Sequence, residues 1–158
     1  MTLTTMDDNL SKILEPNVCT TTRRIEVLEI LKSNGIEVGA WLCPFLPFIN
    51  DDENNVLSIL ENCIRIKVKY ALCFSIGVTL REGNREYFYA NLDKSFKGLR
   101  NKYELIYRDS YILDSKNSKK LMLKFKDICN KNNIMYDIDE IFKYCQKYER
   151  KYEQLSLF

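Results

Sequence analysis

A chain of 158 residues, 46% apolar and 29% charged, is long enough for one cored domain and ordinary in composition for a folded globular protein. Its formal net charge of +2 gives no overall field that would by itself call for nucleic acid or an anionic membrane. It has no histidine, and none of its six cysteines forms a C-x-x-C or C-x-x-x-C pair, which argues against a zinc site, a self-contained iron–sulfur site and histidine-dependent nucleophilic or metal chemistry.

The cysteines, Cys19, Cys43, Cys63, Cys73, Cys129 and Cys145, are expected to be free thiols that act mostly as small core hydrophobes. No stretch has the apolar length of a transmembrane helix, and M-T-L-T-T-M-D-D lacks the basic and apolar regions of a secretory signal. A cytoplasmic location, with no membrane partner, is therefore the expectation.

Residues 1–6 alternate in character and predict a short strand, as if the chain began within a larger architecture. Asp7 or Asp8 can cap a helix over 9–14, which Glu15-Pro16-Asn17 breaks. Hydroxyls of Thr20–Thr22 are candidate caps for a helix over 22–33, with Ile25, Leu28 and Leu31 in register. Asn34-Gly35 ends it.

The stretch 36–43 predicts a strand that is apolar on both faces, as in a parallel sheet covered on both sides. A loop with Pro44 and Pro47 follows, then Asp51 or Asp52 as cap for a helix over 53–67 with Val56, Leu60, Cys63 and Ile64 on its buried face. The apolar run 70–76 predicts the next strand and completes a right-handed βαβ unit.

Past Gly77 the pattern changes. A polar loop over 79–83 leads to an aromatic-rich helix over 84–96, a short helix over 98–108, a loop over 109–117 and a helix over 118–132. The stretch 137–152 has the clearest amphipathic spacing in the chain, and Leu155, Leu157 and Phe158 form an apolar end expected to dock on something. The expected fold is α/β. It is an incomplete β/α barrel of two to three parallel strands over residues 1–82, with a helical C-terminal region over 83–158 packed on it. So few parallel strands leave open edges, which points to strands supplied from elsewhere.

Several separated motifs fall in one order: Glu15-Pro16, Arg24-Ile25-Glu26, Asn34-Gly35-Ile36, Gly39, then Pro44, Pro47, Asn50 and Asp51, followed by G-V-T-L-R-E-G-N-R-E-Y-F-Y over 77–89 and Y-E-Q-L-S-L-F over 152–158. In these the chain resembles the later half of radical S-adenosylmethionine proteins of the branch related to spore photoproduct lyase. The resemblance implies a partial barrel whose fourth to sixth strands are 1–6, 36–43 and 70–76. It also implies S-adenosylmethionine as cofactor. The family's [4Fe–4S] cluster is held by C-x-x-x-C-x-x-C after the first strand, and that motif is absent from this sequence. The chain alone is therefore expected to be inactive. It would be a fragment, a truncated product or one half of a split enzyme, with a missing N-terminal barrel half or an oligomeric partner supplying the cluster.

By the same resemblance, Thr4 at a strand end is a candidate contact to the cofactor, and Arg24 is a candidate to hold either the cofactor's methionine carboxylate or Glu15. Cys43 and Pro44 would lie against the adenine. Arg81, Glu82 and Arg85, past the last strand, are candidate substrate contacts. Asn50 and Asp51 read as helix caps rather than ligands. Two other readings differ in class. One is a non-catalytic interaction domain using an open sheet edge and the apolar end. The other is a DNA-binding module using the Lys- and Tyr-rich second half, which carries 13 Lys/Arg against 9 Asp/Glu from Gly98 onward.

Overall fold

The structure, a computed structural model, describes residues 1–147. It is a mixed α/β fold built around three parallel strands, β1 (Thr2–Leu3), β2 (Gly39–Leu42) and β3 (Tyr70–Leu72), in the order β1-β2-β3. Thr2 lies beside Trp41 and Leu3 beside Leu42; Gly39, Ala40 and Trp41 lie beside Tyr70, Ala71 and Leu72. Each strand neighbours the next in sequence and each connection is helical, an order that winds in one direction as in a β/α barrel. The sheet is not closed. One further parallel step comes from Met135, whose amide donates to the Lys69 carbonyl while its carbonyl accepts from the Ala71 amide.

Helix α1 (Asp8–Leu14) is capped by Asp7, which accepts from the amides of Asn9 and Leu10 at 2.8 and 3.2 Å. Helix α2 (Thr21–Ser33) starts differently from expectation. None of the three threonine hydroxyls caps it; Asp8 reaches across from α1 and accepts from the Thr22 amide at 3.0 Å. That bond holds the Asp8 carboxyl below its ordinary pKa. A carboxylate beats a hydroxyl here because it brings negative charge to the positive end of the helix dipole. Helix α3 (Glu53–Ile66) is capped by Asp52 and stopped by Lys67 at φ 58°.

Helices α2, α3 and α6 (Ser118–Lys131) cover one face of the sheet. Their Ile25, Leu28, Val56, Ile59, Leu60, Cys63, Leu121, Phe125 and Cys129 meet Leu3, Ala40, Leu42, Ala71 and Cys73 in one core. Each fully buried Leu, Ile or Phe there contributes about 1.5–3 kcal/mol relative to exposure.

A second, aromatic cluster of Leu80, Tyr89, Leu92, Tyr103 and Leu113 joins α4 (Asn84–Ser95) and α5 (Leu99–Tyr107) to a two-stranded antiparallel ribbon, β4 (Gly77–Thr79) with β5 (Ile112–Asp114). It is tied to the sheet region where the Tyr103 hydroxyl donates to the Pro47 carbonyl and Phe48 packs edge-on against Tyr103. The chain from 83 onward thus serves both cores, α4 and α5 the second and α6 the first.

Several expectations are corrected. The strand expected over 36–43 is confined to β2, and that over 70–76 stops at Leu72, because the chain then turns into the ribbon. β5 falls within the loop expected over 109–117, and β4 follows the expected strand and overlaps the loop expected over 79–83 only at Thr79. With three residues each and only Leu113 fully buried in β5, they are too short to show alternation. Helix α7 (Ile138–Cys145) begins where the amphipathic stretch predicts; residues 148–158, including the apolar end, lie outside the described residues.

Candidate functional site at the carboxyl ends of the strands

In singly wound β/α sheets, ligands gather at the carboxyl ends of the strands. Here that end carries Thr4 and Thr5 after β1, Cys43 and Pro44 after β2, and Cys73 and Phe74 after β3. Four of the seven site residues picked from the sequence belong to this end or adjoin it: Thr4, Arg24, Cys43 and Pro44.

Thr4, Arg24 and Cys43 gather around Glu15, which adjoins the break that Pro16 puts after α1. The Thr4 hydroxyl donates to Glu15 Oε2 at 2.8 Å, and Arg24 Nη1 donates to the same oxygen at 2.7 Å and to the Thr2 carbonyl at 3.2 Å. Arg24 is only 5% exposed. Glu15 is the main cause of the rise in its guanidinium pKa. The half-buried Cys43 thiol is pushed up by burial first and by the Glu15 charge second, so it is a protonated thiol rather than a nucleophile. The Cys43–Pro44 peptide is cis. The Pro44 carbonyl accepts from Asn50 Nδ2 at 3.1 Å.

Asn50 and Asp51 do not cap α3. Asn50 is fully buried and links three segments: it donates to the Thr4 and Pro44 carbonyls and accepts from the Leu46 amide at 2.5 Å. Asn55 repeats the link, donating to the Thr4 and Asn50 carbonyls and accepting from the Met6 amide. Asp51 accepts from the Phe48 amide, where the backbone has φ 68°. A cap and a loop brace look alike in sequence, since both ask for a short polar side chain just before a helix.

These bonds also define the edge of β1. The Met1 carbonyl accepts from Trp41 in β2, so the Thr2 carbonyl points away from β2, and Arg24 fills it. The Thr4 carbonyl is taken by both asparagines. The edge thus lacks the row of empty acceptors that invites a further strand.

The remaining three candidates lie elsewhere. Arg85 donates to the carbonyls of Arg108, Asp109 and Ser110, closing the turn before β5. Exposed Arg81 lies beside the Tyr111 phenol, and its guanidinium holds that phenol's pKa below the usual range. Glu82 is exposed. None of the three shares a hydrogen bond with Thr4, Glu15, Arg24 or Cys43 among the described residues.

The sheet face opposite α2, α3 and α6 is only partly covered among the described residues. At its amino end Tyr70 meets Tyr144 of α7, and Gly39 leaves the space for that ring: a Cβ there would lie 2.3 Å from it. Towards the carboxyl end, Trp41 and Phe74 pack edge to face with centroids 6.0 Å apart and stay 43% and 53% exposed. Beside Phe74 a cleft of about 360 Å³ is lined by Cys73, Met122, Tyr136, Asp137 and Asp139. A smaller apolar groove of about 170 Å³ lies between α1, the β2–α3 loop and α4.

Among the described residues no group of three or more Cys, Asp or Glu side chains could hold a metal. Cys63, Cys73 and Cys129 are buried thiols, each pushed up to about 12 mainly by desolvation. The described residues do not fit an iron–sulfur cluster. The Thr4 hydroxyl and Arg24 Nη1 already serve Glu15, whose charge offsets that of the guanidinium. The six cysteines are all unpaired, as expected.

No helix among the described residues is long and apolar enough to cross a membrane. Comparison with known proteins gives no match to any family model, to any curated protein or to any solved structure.

Proposed function

We propose that the chain is the carboxyl-terminal portion of a β/α-barrel enzyme of the radical S-adenosylmethionine type. It contributes a wall of the ligand cavity and leaves the metal centre and the ionic grip on the cofactor to another portion. One observation carries this reading: parallel strands in consecutive order have α2, α3 and α6 on one face, while on the other α7 meets only the amino end at Tyr70 and Trp41 and Phe74 stay about half exposed at the ligand end. In a complete barrel that face is the interior. The motif resemblance supplies the cofactor class. The internal pairing of Arg24 with Glu15 limits this chain's part to walls, with Cys43-Pro44 and the two rings as the surface offered.

The test has two arms. The chain alone should show no heat of binding with S-adenosylmethionine by titration calorimetry. Co-expressed with a C-x-x-x-C-x-x-C chain encoded in frame upstream of Met1 or in an adjacent gene, and reconstituted anaerobically with iron and sulfide, it should co-purify and form 5′-deoxyadenosine on reduction. If no such coding sequence exists there, or the two chains do not associate, the reading fails.

A further inference from the structure

We propose that residues 154–158, Q-L-S-L-F, are a docking peptide for the sliding clamp, the ring protein that encircles DNA. The inference stands independently of the barrel reading. The sequence changes character sharply at this point: K-Y-E-R-K-Y-E over 147–153 holds five charged residues, and the next five hold Leu155, Leu157 and Phe158. In an extended peptide Leu155 and Leu157 project to one side, with Phe158 adjoining, and the Gln154 amide at the head can both donate and accept. A surface that recognises this pattern needs two adjoining apolar pockets, one for Leu155 and one for the Leu157–Phe158 pair, with a polar rim for the amide. In this proposal the pockets are those of the sliding clamp's peptide cleft. Extended peptides with a few apolar anchors are a recurrent mode of recognition.

The described chain ends away from the candidate site. Helix α7 directs its Ile141 into the protein and its Tyr144 onto Tyr70, while the Lys69 ammonium sits 5.3 Å from the Tyr144 ring centroid, at the amino end of β3. Cys145, Gln146 and Lys147 are exposed. The chain therefore leaves the described body at the end of the sheet opposite the Thr4–Glu15–Arg24 cluster.

The test uses the full chain and a purified bacterial sliding clamp in titration calorimetry. Binding in the micromolar range is expected. Leu157→Ala/Phe158→Ala should weaken it by at least about tenfold, Ser156→Ala should leave it unchanged, and a synthetic peptide of residues 152–158 should compete. All variants should melt at the temperature of the parent chain, which separates docking from folding. Three results would overturn the proposal: no binding to the clamp, binding insensitive to Leu157→Ala/Phe158→Ala, or self-association of the chain that the double variant abolishes.

Discussion

Arg24 decides whether the carboxyl end of the sheet is a built ligand grip or an internal brace, and Arg24→Ala measures which. The guanidinium is 5% exposed, bonded to Glu15 Oε2 at 2.7 Å and to the Thr2 carbonyl at 3.2 Å. Removing one partner of a fully buried ion pair costs about 3–5 kcal/mol. The Glu15 side chain keeps 24% of its exposure, so water recovers part of that, and about 2–4 kcal/mol is expected. For a domain of this size, a loss near 3 kcal/mol lowers the melting temperature by roughly 6–12 °C. The double variant Arg24→Met/Glu15→Leu leaves no orphaned charge and should recover most of the loss, because apolar replacement of a whole buried pair is often neutral. Urea unfolding of the three proteins is the assay. A cost below about 1 kcal/mol for Arg24→Ala, or a double variant no better than the single, would refute the brace and return Arg24 to the list of ligand contacts.

Asn50→Ala should cost about 2–4 kcal/mol in urea unfolding, since it strips a fully buried residue of three hydrogen bonds and strands the Leu46 amide. Gly39→Ala should displace the Tyr70 ring from Tyr144 and destabilise the fold; Gly39→Ala/Tyr70→Ala should lose less than the sum of the two single variants. Iodoacetamide at pH 8 should modify exposed Cys19 and Cys145 quickly while Cys63, Cys73 and Cys129 react only on unfolding, as read by mass spectrometry. The buried thiols also set the alkaline limit. Cys63 and Cys73 ionise near pH 9 when unfolded and near 12 when folded, so above pH 9 the unfolded state binds fewer protons and stability falls. The slope reaches about 1.4 kcal/mol per pH unit for each, and a melting temperature flat from pH 9 to 11 would contradict it.

The parts of the fold legible in the sequence are those written in local chemistry. Asp7 and Asp52 cap helices where aspartate precedes an apolar rhythm, and β2 sits where an apolar run meets Cys43-Pro44. The missed parts depend on partners distant in sequence. Asp8 capping α2, Met135 closing the edge of β3 and Asn50 bracing Thr4 each join segments whose own patterns say nothing of the other. At the site, motif order drew attention to Thr4, Arg24, Cys43 and Pro44. It offered Glu15 as one of two partners for Arg24, the one the structure shows, but not that the Thr4 hydroxyl would donate to the same oxygen, since a strand-end hydroxyl carries no signal of what it will face. Arg81 and Arg85 read as candidate substrate contacts; Arg85 instead donates to three carbonyls of the turn before β5, and Arg81 sits beside the Tyr111 phenol.

With β1's outward carbonyls filled by Arg24, Asn50 and Asn55, and β3 flanked by Met135, a completing portion gains little from adding a strand at either edge. Its gain lies on the face, where Trp41 and Phe74 still expose about half of their surface. Burying the exposed part of two such rings contributes on the order of 2–4 kcal/mol, more than two rim hydrogen bonds would. Trp41 is the only tryptophan in the chain, so its fluorescence reports on this face alone. Association through the face should shift its emission to the blue and shield it from acrylamide, and Phe74→Lys should weaken association without lowering the melting temperature, because Phe74 is half exposed already. Association through the edge predicts the reverse: unchanged tryptophan emission, and a complex that Arg24→Ala strengthens by uncovering the Thr2 carbonyl. An unshifted emission in a stable complex would therefore move the interface from the face to the edge.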